Sequence, residues 1–199
     1  SGIHESSDQM VKRLRPKDFT DSPVACARGL IGVVLEWDGC RGRIVETEAY
    51  AAEGDPACHT FFRPSARAFM QREAAGTAYV YLNYGIHWMF NLCVKGAGGD
   101  GFVLIRALEP VDGIESMRQR RGGRKDRELC AGPGRLTQAL GIDGSAHATS
   151  FLDRSGCGLW RGEAGEIIAD GRIGISRGQD LPWRFTEKDS PFVSRKPQG

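Results

Sequence analysis

Two glutamates, Glu46 and Glu48, stand two apart in the stretch "IVETEAY". On a strand that spacing sends both side chains to one face. A carboxylate pair so placed can divide acid and base roles, or one can work while the other supports it. Taken alone, the stretch is as well explained by solvated glutamates at a strand end. Arg106 shifts the balance. It interrupts the apolar run "FVLIRAL", where a charge is costly unless it is paired. A guanidinium facing a carboxylate across a sheet keeps that carboxylate ionised and oriented, as a general base requires.

Aromatic and amide side chains surround this pair in the sequence. "YVYLNYGIHWMFN", Tyr79 to Asn91, reads as two short strands joined through Asn-Tyr-Gly. Alternation puts Tyr79 and Tyr81 on one face, opposite Val80 and Leu82. On the returning strand His87, Met89 and Asn91 share a face, opposite Trp88 and Phe90. Tyr50 ends the glutamate strand, and His59 follows in a loop. A core aromatic cluster is the commoner outcome of such a pattern. Tyrosines favour a slot, because a buried hydroxyl needs a partner that phenylalanine would not, and stacking walls with hydrogen-bonding edges suit a nucleobase. Tyr84 is the odd residue: a large ring at a tight turn is either propped against neighbours or meant to enter something.

The elements that must carry these residues follow from turn and cap signals. With 199 residues, 40% of them hydrophobic and 26% charged, the chain suits one sizeable domain. The polar start predicts a flexible tail over residues 1–19 and a single domain over 20–199. "DSPVACARGL" predicts a helix capped by Asp21 or Ser22, with Pro23 in its first turn. "IGVVLEW" and "CRGRIVETEAY" predict a hairpin whose second strand ends near Tyr50. Ser65 is expected to cap a short helix through Met70, and Pro110 to open one that ends in a basic loop. Pro133 and Gly141 mark the start and stop of another. Short strands are expected around Ile167–Ile168, Ile173–Ile175 and "PWRF". The pattern predicts an α+β fold: a mixed, mostly antiparallel curved sheet with flanking helices and a protruding β-hairpin.

Bulk features exclude some classes. No run approaches the roughly 18 apolar residues of a membrane span, and no signal-peptide core opens the chain. The six cysteines form no C-x-x-C pair and have no histidine at finger spacing, which argues against structural zinc and for reduced thiols in an intracellular, cytoplasmic protein. A net charge of +2 names no partner, but "RQRRGGRKDR" gathers six basic residues against one acidic. A solvated helix end and a phosphate-contacting loop, through Arg120, Arg121 and Arg124, are equally fair readings of it.

"IVETEAY", "DPACH", "YVYLNYG", Asn91, "VLIRALEP" and "DRELCAGPGRLTQALGI" together resemble the alkyladenine (3-methyladenine) DNA glycosylase family, in order and spacing from about residue 20 to 195. The resemblance implies a monofunctional glycosylase of base-excision repair. Such an enzyme flips a damaged purine from duplex DNA and hydrolyses its N-glycosidic bond. It implies Glu48 as the base that activates water and Arg106 as the residue orienting both. Tyr50, His59 and Tyr81 would hold the extruded base, Asn91 would crowd the amine of undamaged guanine, and Tyr84 would enter the duplex. The expected partner is double-stranded DNA bearing a damaged purine, bound by a monomer, with no metal and no cofactor. One segment departs from the pattern: "RPSARAFMQREAAG" keeps Arg67, a residue expected near the DNA backbone, but has Ala68 where the family has asparagine. Two rivals remain at this level. A non-catalytic nucleic-acid-binding module has no use for a carboxylate facing the pocket. A carbohydrate glycosidase needs carboxylates on opposite faces of a sugar, which one strand does not easily supply.

Overall fold

A computed structural model describes residues 12–198. Eight strands, β1 (Val34–Trp37), β2 (Cys40–Ala51), β3 (Ala78–Asn83), β4 (His87–Val94), β5 (Gly101–Asp112), β6 (Cys157–Trp160), β7 (Ile167–Asp170) and β8 (Arg184–Glu187), form one open sheet. Every strand pairing among the described residues is antiparallel. Among the described residues six α-helices flank it: α1 (Pro23–Gly29), α2 (His59–Phe62), α3 (Pro64–Arg72), α4 (Ile114–Arg120), α5 (Asp126–Leu129) and α6 (Pro133–Leu140). The molecule is thus a single α+β domain.

β2 is the strand on which the others are hung. β5 pairs with it along its length, while its second edge is shared, with β1 opposite residues 40–43 and β8 opposite 46–48. The tyrosine hairpin, β3 and β4, joins through β4 to β5. Alternation then sorts the side chains. Ile44, Phe90, Leu92, Val103 and Ile105 enter one core with Leu136, Ala139 and Leu140 of α6. Tyr79, Cys93 and Phe102 point the other way and pack against Ala66, Phe69 and Met70 of α3. All six cysteines are buried, unpaired thiols.

Several local expectations are met. Ser22 caps α1 by accepting a hydrogen bond from the Ala25 amide at 3.0 Å. Pro133 opens α6, and Gly141 closes it at φ 75°. Others need correction. Pro110 does not open a helix: it lies inside β5, opposite Gly42. β4 covers only Gly101–Leu104 of β5, so proline's missing N–H faces no strand there, and α4 begins after Gly113. α3 starts at Pro64, so Ser65 sits inside the helix and does not cap it. Ile173–Ile175 is loop. Of the expected tail, residues 1–11 lie outside the described residues. Over 12–19 the chain is tied down: Leu14 donates its amide to Leu159 at 2.8 Å, and Leu14 and Phe19 are both buried.

Charge holds the sheet where β2, β5 and β8 meet. Glu46 is fully buried and accepts from Arg106 Nε at 2.8 Å, from the Ser194 amide at 2.9 Å and from its hydroxyl at 2.6 Å. Arg184 Nη1 lies 3.7 Å from the same carboxylate. Removing one partner of such a cluster strands the others. Glu46→Ala should therefore lower unfolding free energy by about 3–5 kcal/mol, read from urea denaturation. A loss below about 1 kcal/mol would mean that the two arginines find water or other acceptors at no cost.

Candidate active site

On the sheet face opposite the larger core, a cavity of about 660 Å³ opens to solvent. Alternation on four strands supplies its lining: Tyr50 from β2, Tyr79 and Tyr81 from β3, Met89 and Asn91 from β4, and Phe102, Leu104 and Arg106 from β5. Loop residues Pro56, Ala57 and Ile173–Arg177 complete it, together with His59, which opens α2 rather than lying in the expected loop. Of the expected catalytic and base-holding residues, Arg106, Tyr50, His59, Tyr81 and Asn91 line it. Tyr84 reaches the rim, and Phe61, Phe62 and Arg63 stand beside it.

Glu48 does not itself face the opening. It is fully buried immediately behind the lining. Its Oε1 accepts from the Tyr50 hydroxyl at 2.8 Å and from Arg106 Nη1 at 3.4 Å, and its Oε2 accepts from the Ile173 amide at 2.6 Å. Three lining residues therefore end on one carboxylate. Burial pushes its pKa above the ordinary 4.5, while Arg106, the Ile173 amide and the Tyr50 hydroxyl pull the other way. Arg106 makes its shorter bond to Glu46, so the two glutamates have separate parts. Glu46 anchors the guanidinium, and Glu48 stands just behind the cavity wall.

His59 and Tyr81 touch, with ring centroids 4.3 Å apart, so they form one wall together and not two sides of a slot. Burial, helped by the nearby Arg63 guanidinium, brings His59 down to about 4, leaving a neutral imidazole at pH 7. Its Nδ1 and the Tyr79 hydroxyl share a 2.9 Å hydrogen bond. Burial raises Tyr79 and Tyr81 to about 12, so both phenols keep their protons. Asn91 is 4% exposed and donates Nδ2 to the Tyr79 carbonyl at 3.2 Å. Among the described residues, no three His, Cys, Asp or Glu side chains converge as metal ligands would.

The hairpin tip answers the question its tyrosine raised. Tyr84 is 86% exposed and rests on nothing, with Leu82 and Ile86 also exposed beside it. Tyr84 and Gly85 take φ 51° and 68°, and the Ile86 amide donates to the Asn83 carbonyl at 3.1 Å. Positive φ at both central residues of this turn, within the connection Tyr84 to Ile86, suits the twist of a hairpin. The backbone is preset and the ring is left free.

The basic residues divide. Arg120 donates to the Ala139 carbonyl at 2.9 Å, and Arg121 to the Leu129 carbonyl at 3.0 Å and to Gln138 at 2.7 Å. These two therefore fasten α4 to α5 and α6. Arg124 is exposed. Arg67 donates to the Thr60 carbonyl at 2.9 Å and so braces the turn after His59. Sequence spacing did not point to Ile173. It lies 125 residues from Glu48 in the chain, and a backbone donor leaves no trace in residue type.

Comparison with known proteins shows the family. A family model described as "Methylpurine-DNA glycosylase (MPG)" matches residues 17–191. A Granulibacter bethesdensis protein is 49% identical over 90% of this chain and 86% of its own length. A Nitrosospira multiformis protein is 45% identical over 89% and 92%, and a Rhodopseudomonas palustris protein 45% identical over 92% and 91%. Each of the three is named as a candidate 3-methyladenine DNA glycosylase. With most of its length matched, the chain belongs to the methylpurine-DNA glycosylase family, N-glycosyl hydrolases that act on alkylated purines in DNA.

Proposed function

We propose that the protein is a monofunctional DNA glycosylase. It turns an alkylated or deaminated purine out of the duplex into the ring-lined cavity and hydrolyses its N-glycosidic bond with water activated by Glu48. The observation that carries this reading is the convergence of three cavity-lining residues, Tyr50, Arg106 and Ile173, on the Glu48 carboxylate buried just behind the cavity wall. A passive nucleic-acid-binding module gains nothing from an ion buried beside its pocket, where it costs folding energy.

The reaction follows from the arrangement. Water held at this wall gives a proton to Glu48 while its oxygen attacks C1′. The C1′–N bond breaks, and its electron pair leaves on the purine. A purine alkylated on a ring nitrogen is already cationic and departs easily, so the fixed charges need only support the oxocarbenium character at the sugar. Tyr50, Tyr81 and the neutral His59 offer faces to such a cation, worth roughly 0.5–2 kcal/mol each. A neutral His59 also spares the cation a like charge. No lysine lines the cavity, so the reading is hydrolysis to an abasic site without strand cleavage.

Extrusion leaves a gap in the stack that costs a few kcal/mol. Tyr84, held on its preset turn, would fill it from the minor groove and offset part of that cost. Double-stranded DNA carrying a single damaged purine is the partner on this reading, and one protomer suffices.

Release of free purine from methylated duplex DNA, measured by chromatography, tests the function directly. Glu48→Gln should retain DNA binding and lose excision by at least about 10³-fold; excision near the parent rate would place the base elsewhere. The parent's excision rate should fall as pH drops, with its midpoint above 4.5, because burial makes Glu48 protonate earlier than a solvated glutamate. Tyr84→Ser should slow excision of a paired lesion far more than of the same lesion left unpaired. Equal effects on both would rule out the wedge.

A further inference from the structure

Beneath the cavity floor lies an ion pair that none of these steps uses. Asp55 and Arg172 are both buried, and their oxygens and nitrogens meet at 2.6 Å and 2.9 Å in a two-pronged contact. Such a fork fixes direction as well as distance. Asp55 also accepts from the Ala51 amide at 3.1 Å and the Ala57 amide at 3.1 Å, folding the loop that brings Pro56, Ala57 and His59 to the cavity. Arg172 donates to the Ala49 carbonyl at 3.0 Å, in the peptide between Glu48 and Tyr50. It donates again to the Gly178 carbonyl at 3.2 Å, closing the loop 173–178 on the opposite side. Its guanidinium lies 4.8 Å from the Tyr50 ring centre and 5.2 Å from that of Trp183.

We propose that the Arg172–Asp55 pair positions the reaction machinery: it holds the Ile173 amide on Glu48 and the Tyr50 ring at the cavity wall, so that base activation and base stacking share one support. The inference rests on Glu48 as the general base. Its logic is adjacency. Ile173 follows Arg172 directly in the chain, and its amide points at Glu48 Oε2 from 2.6 Å. Tyr50 is backed on one face by the Arg172 guanidinium and bonds Glu48 Oε1 through its hydroxyl. A slip of the guanidinium moves both contacts at once. Gly178 shows how tightly the pair is fitted. At φ 67° it is in the region that favours glycine, and a Cβ there would fall 2.8 Å from Arg172 Nη2 and 3.3 Å from Asp55 Oδ1.

A purely structural pair would affect melting and nothing else, so the test reads the carboxylate. The groups that face Glu48 are Arg106 from β5, Glu46 and Tyr50 from β2, Tyr81 from β3 and the Ile173 amide. Only the amide and the Tyr50 ring depend on Arg172. Single-turnover excision of a methylated purine is followed across pH for Asp55→Asn, Arg172→Lys and Gly178→Ala. Affinity for an abasic-site duplex and thermal melting are measured alongside. The expected result is an excision rate down about tenfold at neutral pH, with the acid limb moved up by about one pH unit as the ionised carboxylate loses a donor. Affinity for the abasic duplex should stay within about twofold, because the wedge and rim are untouched.

An acid limb at the parent's pH in the variants that fold, with melting lowered or not, would reduce the pair to a structural role and overturn the proposal. Should Asp55→Asn fail to fold, Gly178→Ala decides the question, since it keeps both charges and only crowds the fork. Full excision by Glu48→Gln would instead remove the reading on which the inference rests, and the two failures are told apart by that variant alone.

Discussion

Glu46, Glu48, Arg106 and Arg184 meet where β2, β5 and β8 come together, each 7% exposed or less. Ions so placed persist only when opposite charges and N–H groups are held at them in fixed geometry. That requirement propagates outward. β2 must send Glu46 and Glu48 to one face although its pairing with β5 shifts register on both sides of Glu46, and β5 must carry Arg106 through an otherwise apolar strand. β8 must deliver Arg184, and the C-terminal segment must return far enough to place Ser194 on Glu46. The shared second edge of β2 permits this, because β1 ends before the glutamates and leaves that stretch to β8.

The division of the sheet into two faces explains why chemistry and stability do not compete for residues. The larger core takes one set of alternating strand positions, and the cavity takes the other, which carries most of the tyrosine, amide and charged side chains. A second, smaller cluster under α3 supports the ring-bearing side without filling the cavity. Phe69 lies 4.9 Å from Tyr79, which is itself stacked on Phe102 at 4.4 Å. Tyr79 therefore belongs to both worlds: its ring is packed like a core residue, and its hydroxyl orients His59. The segment that departs from the family pattern, Arg63–Gly76, forms α3 and so builds this support from inside, with Ala66, Phe69 and Met70 as its buried side.

What could be read from residue order was whatever depends on alternation or on turn chemistry. The shared face of Glu46 and Glu48, the opposed faces of the tyrosine hairpin, the Ser22 cap and the buried partner of Arg106 all follow from near neighbours or from the cost of an unpaired charge. What could not be read was contact between backbone and side chain across long stretches of chain. The Ile173 amide on Glu48 and the Gly178 carbonyl on Arg172 belong to this group. Basic clusters are hard to read for a related reason. A run of arginines looks like a surface for phosphates, yet Arg120 and Arg121 spend their donors on helix-end carbonyls that only the folded chain brings near. Pro110 misled because a proline is also tolerated at a strand edge.

Tyr84 sits in the left-handed region at φ 51°, where a residue with a Cβ pays roughly 1–2 kcal/mol and where asparagine or glycine would be at ease. Local conformational preference and a bare aromatic tip therefore pull in opposite directions at a single site. Where no demand for that ring applied, drift at this position would run toward asparagine, making a calmer hairpin. If Tyr84 is the wedge proposed above, the amino acid at this position separates relatives that extrude a base from those that only keep the fold.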